Sequence, residues 1–412
     1  MSARLTPPDL TARHPELGTG PVPTDIYYDP VFYERELEAI FKRVWLCMGR
    51  VEQLRQAGDF FVKELPTFGM SILVVRGKDD RIRAFHNVCQ HRGNHVELKR
   101  DGNCNVFRCP FHGWAYGLDG RLAGVPDAEG FYDLDRDAKG LPAVHLDVWE
   151  GFIFINLDDP PSMSLEEFLG EQGRDLVGYP FHRGTQTFEY EGVVGCNWKC
   201  MVDSFCETYH VPFLHKRSVT DTLAGPDNPF GRLIDVRLKG PHRTSSVVGN
   251  LAYQPNPVQG LAFQYAPGPS VTSGSVDEGT VLPKGLNETR APNWSIDVTV
   301  FFPGWIIVIG SGMYFTHQMW PLGPNEVVWQ MRGFLRPASN AAQRFGQENS
   351  LVELRDAVLE DGNTLERIQR SLKQGLIKEF VFHDHELALR HHYHTVVNWV
   401  EDYERSARVG AT

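Results

Sequence analysis

Apolar positions recur at helical spacing near the start of the chain and then change to short runs typical of strands. Over residues 25–45 the helical positions are Phe32, Leu37, Ile40 and Phe41, so residues 1–45 are predicted to form a helical N-terminal arm. In residues 46–157, short β-branched and aromatic runs alternate with Gly/Asp turns. That alternation predicts a small all-β domain.

Residues 158–412 carry both patterns. Strand-like runs dominate residues 186–335, and one helix is expected near residues 200–210. Residues 244–296 are rich in Gly, Pro, Ser and Asn and predict a long loop or lid. Helical patterns return towards the C-terminus, so the pattern predicts an α+β domain after the all-β one.

Composition and charge narrow the class of protein. The chain of 412 residues is 42% hydrophobic and 23% charged, which is ordinary for a globular enzyme. It starts without an apolar signal segment and has no run of about 18 apolar residues, so no membrane span is expected. Seven cysteines in such a chain favour a reducing cytoplasm over a disulfide framework. The net charge of −11 disfavours nucleic acid and anionic membranes as partners.

Two short motifs in the all-β region each supply one cysteine and one histidine. Cys89-x-His91 is followed, seventeen residues later, by Cys109-x-x-His112. Zinc is the competing metal for two Cys and two His, but zinc sites usually separate paired ligands by two or more residues. A Rieske [2Fe–2S] cluster needs one thiolate and one imidazole from each loop, so these four residues favour that cluster.

The segment SFCETYHVPFLH, residues 204–215, holds a second set of metal-ligand types. On a helix over 200–210, Asp203, Glu207 and His210 would share one face, and a break near Pro212 could bring His215 round to it. Alone, the segment is more typical of a core helix with hydrogen-bonded histidines. Beside a one-electron carrier it favours a mononuclear iron held by two His and one carboxylate.

The missing carboxylate is expected from a distant element. Asp361 is the leading candidate, with Glu360 and Asp356 in reserve. The alternative reading of Asp361 is helix capping, shared with Asn363 at the start of a helix predicted over 363–375.

Three motifs together resemble the terminal oxygenase (α) components of Rieske non-haem iron oxygenases over nearly the whole chain. They are C-x-H…C-P-x-H-G-W, N-W-K-x₃-D-x₃-E-x-Y-H-x₄-H (Asn197 to His215) and E-D-x₄-E-x-x-Q (Glu360 to Gln369). The resemblance implies an α+β fold, with an all-β Rieske domain at 46–157 and a catalytic domain at 158–412. In the catalytic domain an antiparallel sheet is flanked by helices in a helix-grip, START-like arrangement, and the N-terminal arm packs with it.

The resemblance also implies roles for site residues. Cys89, His91, Cys109 and His112 would bind the cluster, and His210, His215 and Asp361 the catalytic iron. In head-to-tail trimers of the family, an acidic residue three before the first iron His bridges the cluster of one subunit to the iron of the next. That residue is Glu207 here, where many members have Asp. Asp203 would support the site or form a plain salt bridge on the helix surface.

As implied by the resemblance, electrons come from NADH or NADPH through a separate reductase and a ferredoxin, and O₂ is the oxidant. Basic residues outnumber acidic ones around the cluster motifs, which predicts a docking surface for an acidic ferredoxin. The basic residues are Arg81, Arg83, Arg92, Lys99, Arg100, Arg108 and Arg121.

Candidate pocket residues are apolar, which favours a hydrophobic, aromatic substrate and a role in aromatic catabolism. They are Phe205, Leu214, Val300, Phe302, Ile307 and Phe315. Hydroxylation or oxidative N- or O-dealkylation by an α-only homotrimer is the favoured reaction, and arene cis-dihydroxylation is the alternative. The rival class is an electron-transfer protein that carries a cluster and has no chemistry of its own. A further metal site at His383, His385, His391, His392 and His394 is less favoured than a surface or interface helix.

Overall fold

The computed structural model describes residues 9–265, 282–310 and 313–410, which separate into two units. One unit comprises Phe41–Phe168, and the other comprises Met1–Ile40 with Leu169–Thr412. The exact domain boundaries expected from the sequence, 46–157 and 158–412, stay predictions. The predicted α+β class is confirmed, because an all-β unit accompanies a unit built on an antiparallel sheet with helices.

The N-terminal segment contains a short strand β1 (Val22–Pro23), a 3₁₀ turn (Asp25–Tyr27) and helix α1 (Pro30–Glu36), which continues as a π-helical turn (Leu37–Phe41). Helix α1 begins at Pro30 because Asp29 caps it, its side chain accepting the Val31 N–H. Strand β1 pairs with β19 (Glu379–Phe380) near the other end of the chain.

The all-β unit consists of two antiparallel sheets. Its strands are β2 (Leu46–Arg50), β3 (Asp59–Leu65), β4 (Met70–Arg76), β5 (Ile82–His86), β6 (Asp101–Asn103), β7 (Phe107–Arg108), β8 (Ala115–Tyr116), β9 (Leu122–Gly124), β10 (Ala143–Trp149) and β11 (Phe152–Asn156). The larger sheet has the order β2-β11-β10-β5-β4-β3-β6, and the smaller has β7-β8-β9. The aromatic core between them includes Phe60, Phe85 and Phe107. One Cys/His motif follows β5, and the other forms the turn between β7 and β8.

The second unit contains a seven-stranded antiparallel sheet of order β12-β18-β17-β16-β15-β14-β13. Its strands are β12 (Gln186–Val194), β13 (Asp235–Lys239), β14 (His242–Val248), β15 (Trp294–Phe301), β16 (Trp305–Ile309), β17 (Met313–Gly323) and β18 (Glu326–Leu335). The helices along the chain are α2 (Leu165–Asp175), α3 (Trp198–Ser204), α4 (Val211–Leu214), α5 (Thr220–Leu223), α6 (Pro257–Phe263), α7 (Ala341–Leu372) and α8 (Leu387–Gly410). None of these described helices combines the length and apolar character that crossing a bilayer requires.

Directly paired residues define one face of this sheet, which we call the inner face. The row across five strands is Arg243, Val300, Ile306, His317 and Met331. Paired residues share a face because side chains alternate along each strand. The row and the residues two or four positions from it on these strands make up the inner face.

Helices α3 and α7 cover the inner face. Leu351 of α7 packs against Met313 and Leu335. Beyond the end of α3, the carbonyl of Cys206 accepts the Ser245 hydroxyl at 2.7 Å.

Three local expectations were wrong. The helix near 200–210 ends at Ser204, and α4 begins at Val211. Asn363 caps nothing, because α7 is a single helix that starts at an Asn340 cap. Of the loop expected over 244–296, residues 244–248 and 294–296 belong to strands and 257–263 to α6. Residues 266–281 of that loop lie outside the described residues.

Candidate metal centres

The two Cys/His loops of the all-β unit close in the same way. In the first, the Gly93 N–H donates to the Cys89 carbonyl at 2.9 Å, and in the second the Gly113 N–H donates to the Cys109 carbonyl at 3.0 Å. Both glycines have positive φ angles, +78° and +73°, which residues with a side chain rarely adopt. The two loops therefore present their ligand types from matching tight turns.

Both cysteine side chains of these loops are buried. The Cys89 sulfur lies 3.3 Å from the Tyr116 hydroxyl. Burial raises the pKa of the Cys109 thiol, but hydrogen bonds from the Phe111 N–H, Cys89 and the His112 N–H outweigh it and lower the pKa. Backbone donors that stabilise a thiolate are what a metal-bound sulfur needs.

The two imidazoles lie nearer the surface than the sulfurs. The ring centroids of His91 and His112 are 4.5 Å apart, and Trp114 stacks on His91 at 4.9 Å with an interplanar angle of 8°. His91 Nδ1 is buried without a hydrogen-bond partner, as expected for an atom that would bind iron. Two buried sulfurs with two outer imidazoles fit a Rieske [2Fe–2S] cluster.

In the other unit, His210, His215 and Asp361 bring three donor atoms to one point, and all lie within 4.8 Å of one another. The two Nε2 atoms are 3.1 Å apart, and Asp361 Oδ1 is 3.5 Å from that of His210 and 3.2 Å from that of His215. Metal–ligand bonds of about 2.1 Å at right angles put neighbouring donors about 3 Å apart. The group therefore fits one mononuclear metal with two His and one carboxylate.

Two further carboxylates orient the histidine rings. His210 Nδ1 bonds Glu207 Oε1, and His215 Nδ1 lies 2.7 Å from Glu360 Oε2. Ser218 Oγ donates to the same Glu360 oxygen at 2.7 Å. A metal-bound imidazole usually donates its second N–H to such a group, which fixes the ring and turns the other nitrogen towards the metal.

The site carries excess negative charge. Burial lowers the pKa of His210, but the hydrogen bond and charge of Glu207, and then the charge of Asp361, raise it to about 9. Burial also lowers the pKa of His215, but hydrogen bonds and charge from Asp361, and then the hydrogen bond of Glu360, outweigh it. The pKa of His215 is therefore raised. Carboxylates that hold protons on nearby imidazoles would hold a divalent cation in their place.

The chain turns between Ser204 and Val211 because the Glu207 side chain accepts hydrogen bonds from backbone N–H groups that follow it. Its Oε2 atom accepts the backbone N–H groups of Tyr209 and His210. Pro212 then occupies the first turn of α4, where its missing N–H costs nothing. His210 and His215 flank α4, so this single helical turn, and not a break near Pro212, brings His215 beside His210.

Asp203 does not share a helix face with Glu207 and His210 as expected, since α3 ends one residue after it. It is buried, not a surface salt-bridge partner. Its carboxylate accepts the Tyr27 hydroxyl at 2.8 Å and lies 2.6 Å from His392 Nδ1. Asp203 therefore ties the N-terminal segment to α8.

The five C-terminal histidines do not share one surface, since His383 is exposed and His394 is half-buried. His385, His391 and His392 are buried, and each bonds a neighbouring group. Among the residues with described positions, the single three-ligand group found is the one at His210.

The pocket candidates fall into separate places. Val300 and Phe315 lie on the inner face, and the Phe205 ring reaches His317 on that face at 4.3 Å between centroids. Ile307 pairs with Thr316 and so faces the opposite side of the sheet.

Phe302 packs on Trp399 of α8, 5.0 Å between centroids, and not beside Phe205. Leu214 is half-buried on α4.

Sequence reasoning treated Glu360 only as a reserve ligand and missed His317. The role of Glu360 could have been inferred from its position next to Asp361, because consecutive residues of one helix can contact the same histidine ring from different sides. Nothing in the sequence around His317 distinguished it from other core residues.

Comparisons with known proteins match a family to each of two parts of the chain. The family described as "Ring hydroxylating alpha subunit (catalytic domain)" matches residues 181–402, and the Rieske [2Fe-2S] domain matches residues 44–142. Benzene 1,2-dioxygenase subunit alpha of Pseudomonas putida is 31% identical over 324 residues, covering 75% of this chain and 70% of the relative.

The carnitine monooxygenase oxygenase subunit of Escherichia coli is 38% identical over 192 residues, covering 46% of this chain. The match spans half the length of that relative, 50%. Among solved structures, naphthalene 1,2-dioxygenase from Rhodococcus sp. bound to indole has a similar fold, with a TM-score of 0.73 and 21% identity. The likeness covers 94% of this chain and 96% of that one.

Proposed function

The chain belongs to the family of Rieske oxygenase α subunits, and from this premise we propose that it is the terminal oxygenase of a multicomponent system. It would use O₂ and electrons from a ferredoxin to hydroxylate, or oxidatively N- or O-dealkylate, a hydrophobic substrate. The observation that carries the proposal is the meeting of the His210, His215 and Asp361 donor atoms, which lie 3.1 to 3.5 Å from one another. A pure electron carrier needs only the Cys/His cluster loops and has no use for this second site.

A ferrous ion held by three protein ligands offers open positions to O₂, while a Rieske cluster supplies single electrons. The chain's own residues do the rest. Glu207 and Glu360 hold the two imidazoles in the tautomer that keeps each Nε2 free for metal. The apolar side chains of the inner face exclude water from the reacting carbon.

Glu207 has a second role in this proposal. In a head-to-tail homotrimer, its carboxylate bonds a cluster histidine of the neighbouring subunit while it keeps its bond to His210. Its side chain is mostly buried, but the 10% that is exposed in the single chain leaves part of it open to a neighbouring subunit. The exposed rings of Tyr209 and Phe213, beside Glu207, support a protein interface there.

Ferredoxin and its NAD(P)H-dependent reductase are the proposed electron donors. Arg92 and Arg108 are exposed in or next to the cluster loops, and Phe111, whose ring lies 5.3 Å below Arg92, exposes 56% of its surface. Basic groups around an apolar centre suit an acidic carrier protein. None of the seven cysteines, all of which have described positions, forms a disulfide, which supports a cytoplasmic location.

The substrate class rests on the inner face. Phe205, Val300 and Phe315 are apolar, which favours an aromatic substrate whose N- or O-alkyl group faces the iron. A second candidate is demethylation or oxidation of a quaternary ammonium compound. The carnitine monooxygenase subunit supports it, because aromatic rings also bind such cations. Arene cis-dihydroxylation is the third, supported by the benzene dioxygenase subunit.

Turnover with a surrogate ferredoxin and reductase tests the proposal. The panel contains aryl ethers, N-alkyl anilines, quaternary ammonium compounds and plain arenes. Formaldehyde with a dealkylated product supports dealkylation, and a cis-diol supports the dioxygenase alternative. If reduced enzyme fails to consume O₂ with every member of the panel, the oxygenase proposal is contradicted.

A further inference from the structure

A buried histidine on the inner face has a hydrogen-bond donor without an acceptor. His317 on β17 is 0% exposed, and its Nδ1 atom lies 2.9 Å from Trp329 Nε1. An indole nitrogen can only donate, so His317 Nδ1 accepts and the proton of the neutral ring is on Nε2. Among the residues that the structure describes, that Nε2–H has no hydrogen-bond partner.

The ring stays neutral, so this donor is present at physiological pH. Burial lowers the pKa of His317 to about 3. Leaving a buried N–H unpaired destabilises the folded protein, and buried polar groups are nearly always satisfied. The unpaired donor therefore indicates a partner that arrives from outside the chain.

Aromatic rings surround this donor. The ring centroid of His317 lies 4.3 Å from that of Phe205 and 5.4 Å from that of Phe315, and the Trp329 ring stacks at 5.9 Å. One polar donor in an apolar, aromatic wall is typical of a small-molecule site.

The His317 ring also contacts the segment that leads to the iron ligands. Phe205, which touches His317, directly follows α3 and lies five residues before His210. Val202 of α3 and Met319 of β17 both lie close to Gly304. A Cβ added to that glycine would be 3.7 Å from Val202 Cγ2 and 3.2 Å from Met319 Cβ. Because Met319 shares the face of His317 and lies two residues away on β17, α3 covers the strand beside this histidine.

We propose that His317 is a specificity-determining residue, whose Nε2–H donates a hydrogen bond to a carbonyl, ether or hydroxyl oxygen of the substrate. Phe205 and Phe315 then contact the aromatic part of the same molecule. This inference rests on the proposed function and narrows it, because a plain hydrocarbon or a quaternary ammonium group would leave the donor unpaired. A site built to pair a polar group discriminates against the analogue that lacks it.

The test measures binding and needs no turnover. Acetophenone and α-methylstyrene are nearly the same shape, but only acetophenone carries an oxygen acceptor. Equilibrium dialysis of the iron-loaded, anaerobic enzyme gives a Kd for each probe. One hydrogen bond should make acetophenone bind about three- to tenfold tighter than α-methylstyrene.

Three variants identify the source of that preference. His317→Leu should bring the ratio of the two Kd values close to one, and His317→Gln, whose amide reaches the place of Nε2, should restore it. Thr316→Val, one residue along on the opposite face, is the matched control and should keep the wild-type ratio. Thermal unfolding and the cluster absorbance check that each variant is folded.

An unchanged ratio in His317→Leu overturns the inference, as do equal Kd values in the wild type or failure of both probes to bind. Equal losses in His317→Leu, His317→Gln and Thr316→Val also overturn it, because they indicate a purely structural role. Since binding is measured without O₂, the inference can stand when the turnover panel fails, and it can fail while turnover succeeds.

Discussion

Glu360 and Asp361 are consecutive residues of one helix, yet they contact His215 at the two different nitrogens of its ring. Glu360 Oε2 lies 2.7 Å from Nδ1, and Asp361 Oδ1 lies 3.2 Å from Nε2. One carboxylate therefore fixes the ring while its neighbour shares the metal. Since adjacent helix residues point about 100° apart, the pair can enclose a histidine that comes from another segment.

Replacing Glu360 should weaken the mononuclear site without removing a ligand. Glu360→Gln keeps the size of the side chain and one acceptor oxygen, but it loses the negative charge that orients His215. Loss of such a partner typically lowers metal affinity about 10- to 100-fold. Titration with a competing chelator measures this, with iron at the [2Fe–2S] cluster unchanged.

Asp356→Asn is the matched control on the same helix. Asp356 is exposed and pairs with Arg355, so its loss should leave the affinity at the wild-type value. Equal affinities for Glu360→Gln and wild type would contradict the orienting role of Glu360.

Glu207→Gln should retain both metal centres but nearly abolish turnover. The amide can still contact His210. It lacks the negative charge with which the carboxylate accepts hydrogen bonds from both His210 and the neighbouring subunit's cluster histidine. Single-turnover experiments with a reduced cluster should show cluster re-oxidation slowed by at least about tenfold. Glu207→Asp tests the reach of the shorter side chain, and re-oxidation at the wild-type rate in Glu207→Gln would argue against a bridge.

Charge reversal at Arg92 should weaken reduction by ferredoxin. Arg92 is exposed and lies over the Phe111 ring at 5.3 Å, whereas Arg108 also donates to the Gly113 carbonyl in a cluster loop. Arg92→Glu is therefore the cleaner variant. The KM for ferredoxin should rise several-fold at low salt, and the difference should shrink as salt is added.

Arg405→Glu, at an exposed position of α8, serves as the charge-matched control and should leave that KM unchanged. If Arg92→Glu and wild type show the same KM at low ionic strength, the docking surface lies elsewhere.

Acidification below pH 6.5 should destabilise the catalytic unit through its buried histidines. Burial lowers the pKa of His317 to about 3 and that of His392 to about 4. Both pKa values lie below that of an unfolded histidine, so the unfolded chain binds the extra protons. Their stabilisation is complete above about pH 6.5 and is lost as the pH falls towards the folded-state values.

The expected loss is roughly 1 kcal/mol per histidine for each pH unit in that range. Thermal midpoints between pH 7.5 and 5.5 give the slope, and His317→Gln, which cannot titrate, should show a shallower one. Parallel slopes for the two proteins would mean that His317 does not titrate on unfolding.

The cluster loops could be predicted from the sequence because every ligand type lies within four residues of its partner. Cys89 with His91, and Cys109 with His112, are local motifs whose chemistry depends little on the rest of the fold. The class of fold followed from strand-length runs and from motif order for the same reason.

The iron site could be predicted only in part. Its ligand types were recognisable, but the helix over 200–210 was wrong, because Glu207 captures backbone N–H groups and ends the helical path. Asn363 looked like a cap, although α7 runs through it from Asn340. The partners of Asp203 and the unpaired nitrogen of His317 arise from residues distant in sequence, and no local pattern encodes them.

Iron analysis of wild type and Asp361→Asn tests the central claim most directly, because it counts both centres at once. A Rieske cluster with a mononuclear site requires about three irons per chain, together with about two acid-labile sulfides. Asp361→Asn should fall to about two irons while the cluster absorbance persists. Zinc in place of iron, two irons in the wild type, or three irons in Asp361→Asn would contradict the account.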